Sequence, residues 1–202
     1  MKNSWFVLLI VLAFPAVSLC QTSFKGCPTI GRHKSGKKSG IREGGLNVRK
    51  NRDKIPTVIA RTVTLDSLIK AKEEPDLDFN KAVEITAFVA HVKEGEPGET
   101  CNCGRDDLHD VHIEVVGKES DKDNKKKFVI FEISPRFEDR LGDTDAVKQE
   151  IEGKWVKFTG YLAYDYWHRA NSSNRKKKGK IWRATAWEIH PVTSFKVVDP
   201  PN

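Results

Sequence analysis

Strict alternation of apolar and polar positions recurs along the second half of the chain and predicts a run of β-strands. Over residues 82–92, Val83, Ile85, Ala87 and Val89 share one face, with Glu84, Thr86 and Phe88 on the other. Residues 111–116 repeat the pattern with Val111, Ile113 and Val115. Residues 128–133 are almost continuously apolar, as a strand covered on both faces is. Residues 155–164 and 183–190 supply a fourth and a fifth strand. Pro191 is expected to end the ladder of the fifth, and residues 195–198 to extend the sheet.

A helical period appears twice. Leu65, Leu68 and Ile69 lie on one face within residues 62–72, with Thr64 as a cap and Pro75 as a stop. Ala146, Val147 and Ile151 do the same within residues 143–152, after a turn at Leu141 and Gly142. Five strands with a helix between the third and the fourth is the order of an OB-fold. The predicted class is therefore mainly β: a small five-stranded OB-like barrel, with one short helix before it and one between strands three and four. A β-sandwich is the alternative, for which the strands are few.

The first half reads differently. Lys2, an apolar run over residues 5–14, Pro15 and the small residues before Gln21 predict a secretory signal peptide over residues 1–20. A lipoprotein anchored at Cys20 is the rival reading, and Leu19 argues against it, because a small residue is wanted there. The apolar run is too short to serve as a membrane span. Residues 21–56 form a basic leader, and the Gly, Ser, Lys and Arg of residues 31–54 predict little regular structure. Residues 57–80 hold the short helical segment and residues 81–199 the barrel. The expected location is secreted or periplasmic.

Charge adds a hint about partners. The chain of 202 residues carries a formal net charge of +7. Arg175 and the run Lys176, Lys177 and Lys178 fall in the loop between strands four and five, a loop that flanks the ligand groove of OB-folds. Trp167 and Trp182 flank the run and offer stacking faces. These residues predict an anionic polymer, nucleic acid or acidic polysaccharide as partner. The bland alternative is a solvated hairpin tip.

Three strand ends gather chemistry. Asp110 and His112 open strand two, Asp165 and His168 follow strand four, and Glu188 and His190 share one face at the end of strand five. Three imidazoles with carboxylates are a competent set for a divalent transition metal, which can activate water for hydrolysis. Strands two and four are not neighbours in an OB barrel, so the alternative is that each group only caps its own strand end. Cys27, Cys101 and Cys103 remain after the signal, and export favours a disulfide from Cys27 to Cys101 or Cys103. The chain has no nucleophile elbow, phosphate loop or HExxH pattern.

Several of these segments carry a resemblance. They are Gly26-Cys27-Pro28, Leu46-Asn47 with Lys50-Asn51-Arg52, Glu99-Thr100-Cys101-Asn102-Cys103, and Asp110-Val111-His112-Ile113. Phe131-Glu132-Ile133-Ser134-Pro135-Arg136, Thr159-Gly160-Tyr161-Leu162 and Trp187-Glu188-Ile189-His190-Pro191-Val192 complete them. Collinear over most of the mature chain, they resemble a family of exported, mostly bacterial proteins without an established activity. The resemblance implies that residues 46–52 dock on the barrel through Cys27, and it leaves the lysine loop outside the shared pattern. Three functions are therefore expected: a non-enzymatic OB-like binding domain for an anionic ligand, a metal-dependent hydrolase built on the histidines, or a structural module of the cell envelope.

Overall fold

The computed structural model describes residues 23–71, 81–175 and 180–201. The expected signal peptide with Cys20, the expected helix stop at Pro75 and the run Lys176, Lys177 and Lys178 lie outside these residues. Among the described residues, no helix is long and apolar enough to cross a membrane.

Five strands close a barrel: β4 (Ala82–Glu94), β5 (Val111–Val116), β6 (Val129–Ile133), β7 (Trp155–Tyr164) and β8 (Trp187–Val197). The order is β4-β5-β6-β8-β7, with β7 returning to pair with β4. All pairings are antiparallel except β6 with β8. This is the OB order: first, second, third, fifth, fourth, and back to the first. The alternating positions fill the interior, where Val83, Ile85, Ile113, Phe131, Phe158 and Ile189 have at most 1% of their surface exposed. Before the barrel come β1 (Ser23–Phe24), β2 (Cys27–Pro28), α1 (Ile41–Lys50), β3 (Ile59–Thr62) and α2 (Leu65–Lys70). β3 pairs parallel to the start of β4. Thr64 caps α2, its side chain accepting a hydrogen bond from the Ser67 amide at 3.1 Å. After β6, α3 (Glu138–Leu141) stops at Gly142, whose φ of 98° suits glycine, and Asp143 caps α4 (Thr144–Ile151).

Two expectations need correction. The fifth strand starts at Trp187 rather than Arg183 and runs through Pro191 to Val197. Proline is tolerated because the register with β7 shifts there: Leu162 faces Ile189, but Gly160 faces Val192. Gly160 lets the strands approach at this shift, since a Cβ on it would lie 2.3 Å from Ile189 Cγ2. The second correction concerns the leader. Residues 41–50 are helical, with Gly44, Leu46, Asn47 and Lys50 buried. Composition gives little reason for a helix there, and tertiary contacts supply it. Asn47 Nδ2 donates to the Ile30 carbonyl at 3.0 Å, and Asn51 Nδ2 donates to the Cys101 carbonyl at 2.8 Å. A Cys27–Cys103 disulfide ties the leader to the β4–β5 loop and leaves Cys101 as a free, buried thiol.

Candidate functional site

Polar groups are buried at one end of the outward face of β5, β6 and β8. Asp110 just before β5, His112 on it, Glu132 on β6, and Glu188 and His190 on β8 are all at most 9% exposed. Their inward neighbours Val111, Ile113, Phe131, Ile133 and Ile189 belong to the core. Period-two geometry therefore puts the core on one side of these strands and the site on the other. The pairing His112 with Glu132, and Phe131 with Ile189, sets the three strands' groups side by side. This is the face of the second and third strands on which OB-folds bind ligands, and the loops after the first and fourth strands flank it.

Glu132 is the hub. Its Oε1 accepts from His112 Nδ1 at 3.0 Å and its Oε2 from His190 Nδ1 at 2.7 Å. A carboxylate offers only lone pairs, so both rings carry their proton on Nδ1 and present Nε2 elsewhere. Burial disfavours the Glu132 carboxylate, but Lys50 and the two histidines outweigh it and hold its pKa well below the usual value. His190 Nε2 lies 3.6 Å from Asp110 Oδ1. Burial works against an imidazolium at His190, yet Asp110 and Glu132 raise its pKa to about 10. Burial raises Asp110 to about 7, against the pull of His190. Asn102 Nδ2 holds the other Asp110 oxygen at 3.2 Å.

Lys50, the last residue of α1, enters from the leader. Its Nζ lies 3.0 Å from Asp165, 3.3 Å from Glu188, 3.6 Å from Glu99 and 3.7 Å from Glu132. Burial would strip its proton, but these four carboxylates keep its pKa well above the ordinary value. Asp165 is placed by its own turn, Oδ1 accepting from the Trp167 amide at 3.0 Å while Oδ2 accepts from Lys50. Arg183 Nη2 donates to Glu188 Oε2 at 3.2 Å. The Cys101 thiol donates to Glu99 Oε2 at 3.1 Å, and burial keeps it protonated, its pKa well above the usual.

Above this floor opens a cavity of about 360 Å³, with Glu94, Glu96, Glu99, Asp165, Trp182 and Glu188 in its lining. His112, Glu132, His168 and Arg183 line it too. Of the six metal candidates, Asp110, His112 and His190 meet at Glu132, and Asp165 and Glu188 meet at Lys50. His168 belongs to the wall, its ring edge-on to Trp182 at 5.2 Å. The strand-end groups thus converge, although β5 and β7 are not neighbours, because β6 carries the connecting carboxylate between β5 and β8. Of the aromatic candidates, Trp182 lines the cavity, while Trp167 packs at a tilt against Tyr166 and is 62% exposed. Sequence reasoning missed Glu132 and Lys50 as site residues. The available signals were one acid inside an apolar strand, and a lysine sharing a helix face with Leu46 and Asn47.

His112 gives a pH prediction. Burial opposes its charged form, but Glu114 and Glu132 raise its pKa from 6.5 to about 9. A raised pKa contributes stability that is complete below the unfolded value and is lost as pH rises through the folded one. The protein should therefore lose stability between pH 6.5 and 9. Urea midpoints in His112→Gln should fall less steeply over that range, with residual slope from His190. Equal slopes in the two proteins would contradict the ion pairing described here.

No family model and no curated protein matches this chain.

Proposed function

We propose that this protein is an exported OB-like binding module, and that its ligand site is the acid-lined pocket on β5, β6 and their flanking loops. What it takes there is a cation. One observation carries this reading: in a chain of net charge +7, the pocket on the ligand face of the barrel is lined by six carboxylates; Lys50 sits among the four inner ones, and Glu94 and Glu96 leave the rim acidic beside Lys93. The carboxylates are Glu94, Glu96, Glu99, Glu132, Asp165 and Glu188. Such a field draws cations in and turns polyanions away. The signal-like segment at residues 1–20 and the Cys27–Cys103 bond support a location outside the cytoplasm.

The anionic-polymer reading placed its contacts on Lys176, Lys177 and Lys178, and Trp182 now stands in an acidic wall instead. Titration calorimetry on the mature chain with spermidine, calcium, zinc and heparin separates the two. Spermidine or a metal ion should bind, more weakly in a Glu94→Gln, Glu96→Gln double variant at the pocket rim. Heparin binding that falls steeply with salt, with no cation bound, would overturn the reading in favour of a polyanion site.

A further inference from the structure

We infer that the cation is a divalent transition-metal ion, held behind the pocket-lining Glu132, between Nε2 of His190 and Oδ1 of Asp110, with Glu132 as the residue that positions the imidazole. This rests on the cation-site reading and names the class of ion.

The first support is a distance. Nε2 of His190 and Oδ1 of Asp110 are 3.6 Å apart, and both residues are at most 2% exposed. A charge-assisted hydrogen bond between an imidazolium and a carboxylate closes to roughly 2.7–2.9 Å. Two ligands on one metal, each bonded at about 2.0–2.2 Å, stand roughly 3.3–3.6 Å apart at tetrahedral or trigonal angles. The observed gap is therefore too wide for the hydrogen bond and fits a shared ion.

The second support is unmet bonding. Among the described residues, Asp110 Oδ1 is buried without a hydrogen-bond partner. Buried polar atoms are almost always satisfied, so an unmet carboxylate oxygen beside an imidazole nitrogen is a position where a ligand is expected. Asp110 Oδ1 is aimed at the gap.

The third support is orientation. A metal-binding histidine commonly donates its other ring nitrogen to a carboxylate, which fixes the tautomer. Glu132 does this for His190 at Nδ1 and leaves Nε2 directed at Asp110. Asp110, Glu132 and His190 each offer an atom within 4.8 Å of the other two. Asp110 also forms a second such group with Glu99 and Cys101. An imidazole nitrogen donor favours zinc, cobalt or copper over calcium and magnesium. The Lys50 ammonium lies closest to Asp165 and Glu188, at 3.0 and 3.3 Å, neither of which holds the proposed ion.

The test uses the mature disulfide-bonded chain, purified without chelator or histidine tag. Zinc or cobalt should bind near one equivalent per chain by elemental analysis after dialysis. His190→Gln and Asp110→Asn should each lose it, while His168→Ala keeps it. In case those variants fail to fold, nitrogen NMR of the wild type gives an independent reading. Zinc should shift the Nε2 resonance of His190 and leave its Nδ1 protonated. No zinc or cobalt uptake, with spermidine still binding, would overturn the metal assignment and leave the cation pocket standing. No cation of any kind would remove both.

Discussion

Lys50→Met should lower the free energy of unfolding by about 3–5 kcal/mol, the cost of breaking a buried ion pair from one side. Methionine preserves much of the side-chain volume, so the loss reports charge rather than a cavity. The ammonium is 4% exposed and within 4 Å of four carboxylates. Removing it leaves Glu99, Glu132, Asp165 and Glu188 facing one another with Arg183 and the histidines as the remaining counter-charges. The pKa values of Glu132 and Asp165, both now held below their ordinary values chiefly by Lys50 against the opposing effect of burial, should rise. Adding Asp165→Asn to the Lys50→Met background should restore part of the loss, because it removes one of the stranded charges. Urea unfolding of the two variants measures both effects. A cost below about 1 kcal/mol would be that of a surface pair and would contradict the buried cage.

Removing the disulfide should cost about 4 kcal/mol. Cys27 and Cys103 are 76 residues apart, and closing a loop of that length removes much of the unfolded chain's freedom. The Cys27→Ser, Cys103→Ser double variant should therefore unfold at lower urea concentration than the oxidised wild type, and reductant should reproduce the effect in the wild type alone. The consequence should be concentrated in the leader. β1 and β2 pair only with each other as strands, and the bond to Cys103 fastens them to the β4–β5 loop. Arg136 Nη2 still donates to the Cys27 carbonyl at 3.3 Å, and its Nε to Asn51 at 3.3 Å. Hydrogen exchange should rise over residues 23–40 and leave β4 to β8 protected. Uniform loss of protection across the barrel would show instead that the leader and the barrel fold as one cooperative unit.

Much of the barrel was legible because interior alternation is a local property. Residues 155–164 read as a strand from pattern alone, and β7 has those bounds. The fifth strand was cut short because Pro191 is a ladder breaker anywhere except at a register shift, and the shift depends on β7. The site was half legible. Asp110, His112, Glu188 and His190 stood out because polar groups recurred at outward positions near strand ends. Glu132 did not, because Phe128 and Ile130, which share its outward face, made the strand look covered by carbon on both sides. The outer cover is carbon at Phe128 and Ile130 and the chain's own polar network at Glu132. Lys50 was hidden by composition. A lysine among many lysines is unremarkable until the partners that hold it, separated from it by 49 to 138 residues of sequence, are seen together.

The leader also takes part in the ligand face. In an OB barrel, the face of the second and third strands is usually a trough open at both ends, along which an extended chain can lie. Here α1 delivers Lys50 to that face, and α1 packs against β7, β8 and the turn Thr100–Asn102. The face therefore carries an ammonium of the chain's own, and cavities of about 360 and 250 Å³ share Glu99, Asp165 and His168 on either side of it. A ligand entering from either side meets those three residues first, with the charge of Lys50 already in place behind them.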